Sequence, residues 1–428
     1  EETGVLSEIE NLTYRDMDGN ICETPWAEPI SMDEMPFAYE NLHDFEHKII
    51  YYESSRGCPF RCSYCLSSID KRVRFRSLAL VKKELQVFLD ARVPQVKFVD
   101  RTFNCNPRRT VELLNWIQEH DNGVTNFHFE IAADITTEEE LTIMEQMRPG
   151  LIQLEIGVQS TNPKTVEAIH RTMDLTKLAE VVSRVKGFGN IHQHLDLIAG
   201  LPYENLESFQ KSFDDVYGMQ PDQLQLGFLK VLKGSGMKED ADGYEIRYHE
   251  HAPYEVLTTR WLNYGEVLTL KGVEEMVEVY YNSRQFDRTI AHIMEQYDSP
   301  YRFFLELAEY YDRKGLSGIG HSRNARYEIL RAFLEEKKLG GPDNDQCMVL
   351  DLYARENLKS RPAFAPDLSP YKEELKNLTR DYGRQVHVEV LEKASGPEYV
   401  MFDYRKRDPL TGEAWMEVLG GTGERHDG

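Results

Sequence analysis

The sequence predicts an α/β protein in which an open six-unit (β/α) barrel, a partial TIM barrel, is followed by a mostly helical domain with a small terminal β-meander. Six short apolar runs alternate with stretches of helical length between residues 48 and 229, which is typical of parallel strands joined by crossover helices. Six units are too few for a closed eight-unit barrel of ~250 residues. After about residue 240 the alternation stops, and longer helical segments follow.

The barrel elements can be assigned in order along the chain. The predicted strands are Lys48–Glu53, Gln95–Val99, Asn126–Ala132, Leu151–Val158, His192–Ile198 and Asp222–Leu229. The predicted helices are Ser77–Ala91, Pro107–His120, Thr137–Met147, Asn162–Ile169 with Lys177–Gly187, and Leu206–Gly218. Strands buried on both faces read as nearly continuous Val, Ile and Leu runs, as these do. A doubly wound sheet has the same spacing and remains the alternative.

The flanking regions differ from the barrel, which is assigned to residues 48–240. Residues 1–47 are acidic and contain several prolines, which predicts a connector or surface arm with a short hairpin around Asn11 to Cys22. Residues 241–420 are assigned to the helical domain, whose predicted helices include Tyr254–Ser283 and whose meander begins near Gln385. Residues 421–428 are predicted to be a disordered tail. Since the chain opens on Glu1 rather than Met, we expect a fragment or a processed product.

Composition excludes several classes of function. The 428 residues contain 50 Lys and Arg against 73 Asp and Glu, which gives a net charge of −23. A field of that sign repels phosphate backbones, so a nucleic-acid partner is not expected. No apolar run approaches the ~20 residues of a membrane span, and there is no signal peptide. We therefore expect a cytoplasmic protein in a reducing compartment.

Three of the six cysteines, Cys58, Cys62 and Cys65, lie within eight residues directly after the first predicted strand. Their spacing, C-x3-C-x2-C, lets one loop present three thiolates, which are ligands for iron–sulfur clusters and for zinc. A structural zinc site takes four protein ligands, and the next cysteine is Cys105. A four-iron cluster with one open iron is therefore favoured, and a zinc site completed by Cys105 or a distant His is the alternative. Catalytic groups of βα barrels lie on loops of this kind.

This motif, with the aromatic Tyr64 before its third cysteine, resembles the radical S-adenosylmethionine (SAM) superfamily. The resemblance implies a 4Fe-4S cluster on Cys58, Cys62 and Cys65, whose open iron binds SAM. An electron from a donor such as flavodoxin or ferredoxin then cleaves SAM to methionine and a 5′-deoxyadenosyl radical. Tyr64 is expected to cover the cluster or stack on the adenine. The substrate is left open among small molecules, lipids and peptides.

Further residues match motifs of the oxygen-independent coproporphyrinogen oxidase group within that superfamily. The resemblance implies that Glu130, on the third strand, contacts SAM. It also implies that Gln159, in Gly157-Val158-Gln159-Ser160, binds the SAM ribose, and that Arg171, twelve residues later, pairs with the SAM carboxylate. A guanidinium fork matches a carboxylate in geometry. The alternative for each residue is an ion pair at the barrel rim.

The fifth strand carries a D-L-I-x-G-L-P pattern that begins at Asp196. By the same resemblance Asp196 binds the ribose hydroxyls, and the backbone around Ile198 and Gly200 borders the adenine. The second strand departs from the superfamily, because the common G-G-E is replaced by a sequence containing Asp100 and Arg101. Asp100 is expected to face the active site.

The connector and the C-terminal part are similar to those of cobalamin-dependent radical SAM proteins that have an uncharacterised C-terminal domain. The resemblance implies a methyltransferase. No D-x-H-x-x-G cobalamin motif occurs in the 428 residues, so we expect cobalamin to be held by an N-terminal domain absent from this chain. A cobalamin-independent radical SAM oxidoreductase or transferase and a non-catalytic iron–sulfur or SAM-binding homologue are the alternatives.

Overall fold

The computed structural model describes residues 5–39, 41–45, 48–70, 72–382, 385–393 and 396–419. The predicted disordered tail, residues 421–428, lies outside the described residues. The described chain opens with a short antiparallel hairpin, β1 (Thr13–Arg15) and β2 (Ile21–Glu23), at the predicted position. None of the helices in the described ranges combines the length and apolarity needed to cross a membrane.

The barrel follows this hairpin. Its elements are β3 (Ile50–Tyr52), β4 (Ser55–Arg56), β5 (Arg74–Phe75), α1 (Leu78–Asp90), β6 (Gln95–Phe98), α2 (Pro107–Glu119), β7 (Asn126–Ile131), α3 (Glu138–Glu145), β8 (Ile152–Gln159), α4 (Pro163–Ala168), α5 (Leu175–Phe188), β9 (His192–Ala199), α6 (Leu206–Gly218) and β10 (Gln223–Phe228). All the predicted barrel strands and helices begin and end within two residues of these observed bounds. Polar caps explain that agreement for the helices: Asn106, Asp174 and Asn205 each cap the first turn that follows them.

Six parallel strands form the central sheet in the order β10-β9-β8-β7-β6-β3. Apart from the excursion of β4 and β5, each strand lies beside its sequence neighbour, and the order never reverses. A doubly wound sheet reverses its strand order at a switch point, so the open barrel is confirmed and the alternative is wrong. β3 and β10 are the edge strands of the sheet, and all six carboxyl ends lie at one rim of the barrel.

The C-terminal half is helical, as predicted, with a three-stranded antiparallel sheet at its end. Its elements are α7 (Gly236–Asp240), β11 (Arg247–Tyr248), β12 (Val256–Thr258), α8 (Tyr264–Val277), α9 (Asp287–Met294), α10 (Pro300–Lys314), α11 (Arg323–Glu336), α12 (Pro342–Arg355), α13 (Lys372–Tyr382), β13 (Val386–Lys393), β14 (Gly396–Arg407) and β15 (Ala414–Leu419). The predicted helix from Tyr254 is wrong over its first ten residues. A capping box sets the true start, because Asn263 and Glu266 each accept from the other's backbone N–H.

A buried ion pair fastens the N-terminal segment to the first barrel unit. The side chains of Arg76 and Glu84 are only 7% and 6% exposed. Arg76 Nε donates to Glu84 Oε2 over 2.8 Å, and the Tyr52 hydroxyl donates to the same oxygen over 2.6 Å. The guanidinium also donates to the carbonyl oxygens of Met32 and Met35. The pair therefore joins α1, β3 and the preceding segment.

We expect Arg76→Met to lower the free energy of unfolding by about 3–5 kcal/mol, because it leaves Glu84 as an uncompensated buried charge. Urea denaturation followed by circular dichroism measures this loss. Lys82→Met is the matched control, since Lys82 pairs with Glu112 at the surface and an exposed pair is worth about 0–1 kcal/mol. A loss for Arg76→Met no larger than that of the control would contradict the assignment.

Candidate active site

The loop that carries the three cysteines follows β3 and is closed at its base by the pairing of β4 with β5. Gly57, directly before Cys58, has a φ of +99°, and a Cβ there would lie 2.3 Å from the Arg72 carbonyl oxygen. Only glycine fits this approach and this backbone conformation. Later in the loop, Ser63 N donates to the Ile169 carbonyl over 2.9 Å, and the Ser63 carbonyl accepts from Met237 N over 2.8 Å. The loop is thus held by α4 on one side and α7 on the other.

The three cysteines line one cavity of about 200 Å³ at the carboxyl ends of the strands. The same cavity is lined by Tyr64, Glu130, Gln159, Arg171 and Asp196. The structure therefore brings together eight of the ten residues predicted for the site. Cys62 is buried, whereas Cys58 and Cys65 are half-buried.

Within the described part of the chain, no three His, Cys, Asp or Glu side chains converge on a point where they could hold a single metal ion. The predicted zinc alternative needs such a convergence, with ligand distances of about 2.0–2.3 Å. In a cluster each thiolate ligates a different iron, so the three sulfurs stand farther apart.

Arg171 connects the cysteine loop to the barrel. Its Nη1 donates to the Tyr64 hydroxyl over 3.2 Å and lies 3.8 Å from Cys62 Sγ, while its Nη2 donates to the Gly157 carbonyl. Burial raises the pKa of the Cys62 thiol, and the Arg171 cation opposes that rise. The Nε of Arg171 is buried without a hydrogen-bond partner among the described residues. One donor of the guanidinium therefore remains for a ligand.

Gln159 ends β8 in a conformation that the motif explains. Its φ is +71°, and a Cβ on Gly157 would lie 2.3 Å from Gln159 Nε2, so the glycine makes room for the glutamine side chain. Gln159 is 9% exposed, and its Oε1 has no hydrogen-bond partner within the described ranges. Backbone conformations of this kind cluster at functional sites.

Three carboxylates face the barrel interior in unequal environments. Glu155 Oε2 lies 2.9 Å from His128 Nε2 and 2.8 Å from Lys97 Nζ, and these two groups lower the pKa of Glu155 to about 2 despite its burial. Among the described residues Glu130 forms an ion pair with Arg101 alone, at 3.9 Å, and burial raises its pKa. The Glu155 charge adds to that rise.

Asp196 is the least compensated of the three. Its Oδ1 lies 3.2 Å from His194 Nε2, but neither atom makes a hydrogen bond of good geometry with any described residue. Burial raises the pKa of Asp196 to about 8, and the charges of Glu155 and Glu130 add to the rise. This carboxyl can therefore form hydrogen bonds with a polar ligand.

The remaining predicted residues lie elsewhere. Ile198 lines a larger adjoining cavity of about 880 Å³. Gly200 lines neither cavity; its φ is +88°, and a Cβ there would lie 2.8 Å from Val256 Cγ1. Gly200 thus admits β12 against the barrel, a packing role that only the C-terminal half reveals.

The expectation that Asp100 faces the active site is wrong. Asp100 is 2% exposed and accepts from Ser54 N over 2.7 Å and from Ser55 Oγ over 2.8 Å, so it ties β6 to the start of the cysteine loop. Its neighbour Arg101 lines both cavities instead. No motif distinguished Arg101, because its role depends on where the loop after β6 turns.

Comparisons with known proteins agree with this geometry. Residues 52–216 match the model of the radical SAM superfamily, and residues 242–404 match a family described as protein of unknown function (DUF4080). The barrel is therefore a radical SAM domain, and the predicted resemblance is confirmed. The C-terminal part matches a family without a described function.

Two curated relatives and one solved structure are informative. The chain is 24% identical over 217 residues to the uncharacterized methyltransferase PH0819 of Pyrococcus horikoshii, covering 50% of this chain and 44% of the relative. It is 27% identical to the oxygen-independent coproporphyrinogen III oxidase of Helicobacter pylori, covering 44% of this chain and 43% of the relative. The chain thus spans less than half the length of these relatives. The cobalamin-dependent SAM radical enzyme OxsB superposes with a TM-score of 0.50 at 14% identity, over 81% of this chain and 59% of that one, which shows a shared fold.

The raised pKa of Asp196 predicts a pH effect on stability. The folded protein keeps this proton up to about pH 8, whereas the unfolded chain releases it near pH 4, so Asp196 costs stability as the pH rises through that window. Asp196→Asn cannot ionise. The free energy of unfolding of this variant should therefore rise relative to that of the wild type between pH 5 and pH 8, by roughly 1.4 kcal/mol per pH unit at most.

Urea denaturation at several pH values measures the difference. Asp298→Asn, at an exposed position, is the control and should track the wild type. A constant difference between Asp196→Asn and the wild type across this range would refute the assignment.

Proposed function

We propose that Cys58, Cys62 and Cys65 hold a 4Fe-4S cluster and that the cavity they line binds SAM. The observation that carries this proposal is the meeting of three thiols with unpartnered buried polar atoms in one cavity of about 200 Å³. When bound, the cluster supplies the electron that cleaves SAM to methionine and a 5′-deoxyadenosyl radical. An electron donor of the flavodoxin or ferredoxin kind would reduce it.

The chain's own residues suit SAM, which carries a carboxylate, an ammonium and a ribose. Arg171 Nε, Gln159 Oε1 and Asp196 Oδ1 are orphaned polar atoms in this cavity, and leaving such atoms without partners costs about 1–3 kcal/mol each. Arg171 would bind the carboxylate, and Gln159 and Asp196 the ribose. Glu130 is the nearby carboxylate for the cationic part of SAM.

The Arg171 cation opposes the effect of burial on the Cys62 thiol. Arg171 lies 3.8 Å from Cys62 Sγ, and a cation at that distance stabilises a sulfur anion. Tyr64 is bonded to the same guanidinium and lines both cavities. Its ring would cover the ligand and exclude water from the reacting atoms.

We further propose that the reaction is a cobalamin-dependent methyl transfer to a small-molecule, lipid or peptide substrate. Support comes from the uncharacterized methyltransferase relative and from the fold shared with OxsB, a cobalamin-dependent enzyme. This chain itself does not fit cobalamin: it has no D-x-H-x-x-G motif, and no histidine is among the residues described as lining the larger cavity. Cobalamin would therefore have to be held by a segment outside the chain.

A cobalamin-independent oxidation is the second candidate. It is favoured by the coproporphyrinogen oxidase relatives, which match 42% and 44% of this chain. Absorbance of cobalamin retained after gel filtration separates the two candidates. We expect the product of the complete reading frame to retain about one cobalamin per chain and residues 1–428 alone to retain almost none, because a site that covers one face cannot offset the ordering cost of binding. Failure of the complete product to retain cobalamin would favour the oxidation.

Anaerobic reconstitution should give about four iron and four sulfide per chain. Replacing Cys58, Cys62 and Cys65 together with Ala should abolish iron uptake. Gly57→Ala should lose most of it, because the new Cβ would displace the cysteine loop from the Arg72 carbonyl.

Gly123→Ala is the matched control for Gly57→Ala, since Gly123 also has a positive φ, +72°, but a Cβ there meets nothing within 4 Å. Iron and sulfide assays with absorbance near 400 nm, the usual region for such clusters, measure the result. Stoichiometric zinc without iron would rule the cluster out.

Arg171→Ala should weaken SAM binding to the reconstituted protein by ~1.5–3 kcal/mol, the value of a charged hydrogen bond. Equilibrium dialysis measures the affinity, and Arg184→Ala, at an exposed pair on α5, should not change it. Iron content is measured on the same samples. Normal iron with unchanged SAM affinity would reduce Arg171 to an anchor of the loop.

A further inference from the structure

The larger cavity, of about 880 Å³, adjoins the proposed cofactor cavity. Five residues line both: Tyr64, Cys65, Arg101, Gln159 and Asp196. From this shared wall the larger cavity extends along the whole of β10 to Glu278, just beyond α8. A molecule bound there would reach the reacting end of the cofactor cavity.

The strand β10 forms a free edge of the sheet, and its backbone shows which groups point away from β9. Leu224 N donates to Asn282 Oδ1 over 2.9 Å, and Asn282 Nδ2 donates to the Leu224 carbonyl over 2.9 Å. Leu229 N, by contrast, donates to Ala199 in β9. Since the two sides of a strand alternate along the backbone, Leu226 and Phe228 present their N–H and C=O on the same side as Leu224.

These two residues are the open positions of the edge. Neither peptide group has a hydrogen bond on the cavity side with any residue that the structure describes, and both residues line the cavity. Lys230 is bridged to Glu255 in antiparallel fashion, but the hydrogen bonds of this bridge, from Val256 N to the Leu229 carbonyl and from Val231 N to the Tyr254 carbonyl, lie on the β9 side of the strand. Lys230 lies six positions after Leu224, a span of ~20 Å in a strand.

The Asn282 side chain indicates what this edge accepts. Its amide gives and receives one hydrogen bond with Leu224, in the place where the peptide group of a seventh strand would lie. The next two positions of the edge offer the same donor and acceptor pair. Extended peptides commonly bind by adding a strand to a free edge of this kind.

The wall opposite the edge is acidic. Glu274, Glu275 and Glu278 line the cavity, and burial raises the pKa of Glu274. Of the nearby cations, Lys271 is paired with Glu255 over 2.6 Å, whereas Lys230 and Arg101 line other parts of the cavity. The wall therefore complements a positively charged side chain.

We infer that the larger cavity is the substrate chamber and that it takes an extended peptide segment, paired with Leu226 and Phe228 and presenting a lysine or arginine side chain to the glutamates. This inference rests on the proposed function of the adjoining cavity, because it assigns the substrate class of the same site. Peptide binding is nevertheless measurable without catalysis.

Hydrogen–deuterium exchange of the full chain tests it. The probe is a pool of acetylated hexapeptides with one central lysine, at about 1 mM, a concentration that detects weak binding. Exchange of the Leu226 and Phe228 amides should slow at least tenfold. The same pool with alternate peptide nitrogens methylated should give no protection, because it cannot pair with the edge.

Two variants test the charge. Glu275→Lys combined with Glu278→Lys should reduce protection by the lysine pool at least tenfold and favour a pool with central glutamate. Glu309→Lys, at an exposed position of α10 outside the cavity, should behave as the wild type. The inference would be overturned if the methylated pool, or lysine amide alone, protected the edge as much as the lysine pool does. It would also be overturned if the lysine pool gave no protection.

Iron content and SAM affinity are measured on the same preparations. If both are absent while the lysine pool protects the edge, the proposed function fails and the peptide site stands. If both are present without protection of the edge, the peptide assignment fails and the cofactor site stands.

Discussion

The guanidinium of Arg171 is the contact on which the candidate site depends. It joins the Gly157 carbonyl in β8, the Tyr64 hydroxyl and the Cys62 sulfur. The cysteine loop has little regular structure of its own, so its position relative to the strands is decided by contacts of this kind. Because a buried cation without partners is strongly destabilising, loop and barrel position each other.

In the barrel interior, too, the available partners decide the charge of each buried side chain. Glu155 has two basic neighbours and stays ionised, whereas Asp196, on the next strand, has no hydrogen bond of good geometry from any described residue. Pairs of carboxyls whose surroundings push their pKa values apart are typical of functional sites. Here the difference leaves Asp196 neutral near pH 7 in a cavity that Gln159 also lines.

The open side of the barrel connects this chemistry to the C-terminal half. Elements from both halves build the larger cavity: β10 forms one wall and the glutamates after Val273 form the other. Asn282 occupies one position of the free edge, and Glu255 is bridged to Lys230 just beyond the end of β10. The segment that matches the family of unknown function, residues 242–404, thus forms one wall of the larger cavity.

Much of the fold could be predicted because its signals are local. Apolar runs, helix caps and the order of the units depend on neighbouring residues, so the barrel elements fall within two residues of their predicted bounds. The capping box at Asn263 is also local, and overlooking it placed the start of α8 ten residues too early. The cysteine motif and the residues from Glu130 to Asp196 came from recognisable patterns at strand ends, and these residues line one cavity.

The sequence by itself determined the class of the barrel, the cysteine motif and eight of the residues that line the smaller cavity, because strand ends of parallel units meet at one rim. Only the tertiary structure decided the roles of Asp100, Arg101 and Gly200, since each depends on a neighbour distant along the chain. Asp100 accepts a hydrogen bond from Ser54 N, and Gly200 packs against Val256. The larger cavity likewise forms only because α8 lies opposite the edge of β10. These two segments are distant along the chain, so no local sequence pattern predicts which of their groups line the space between them.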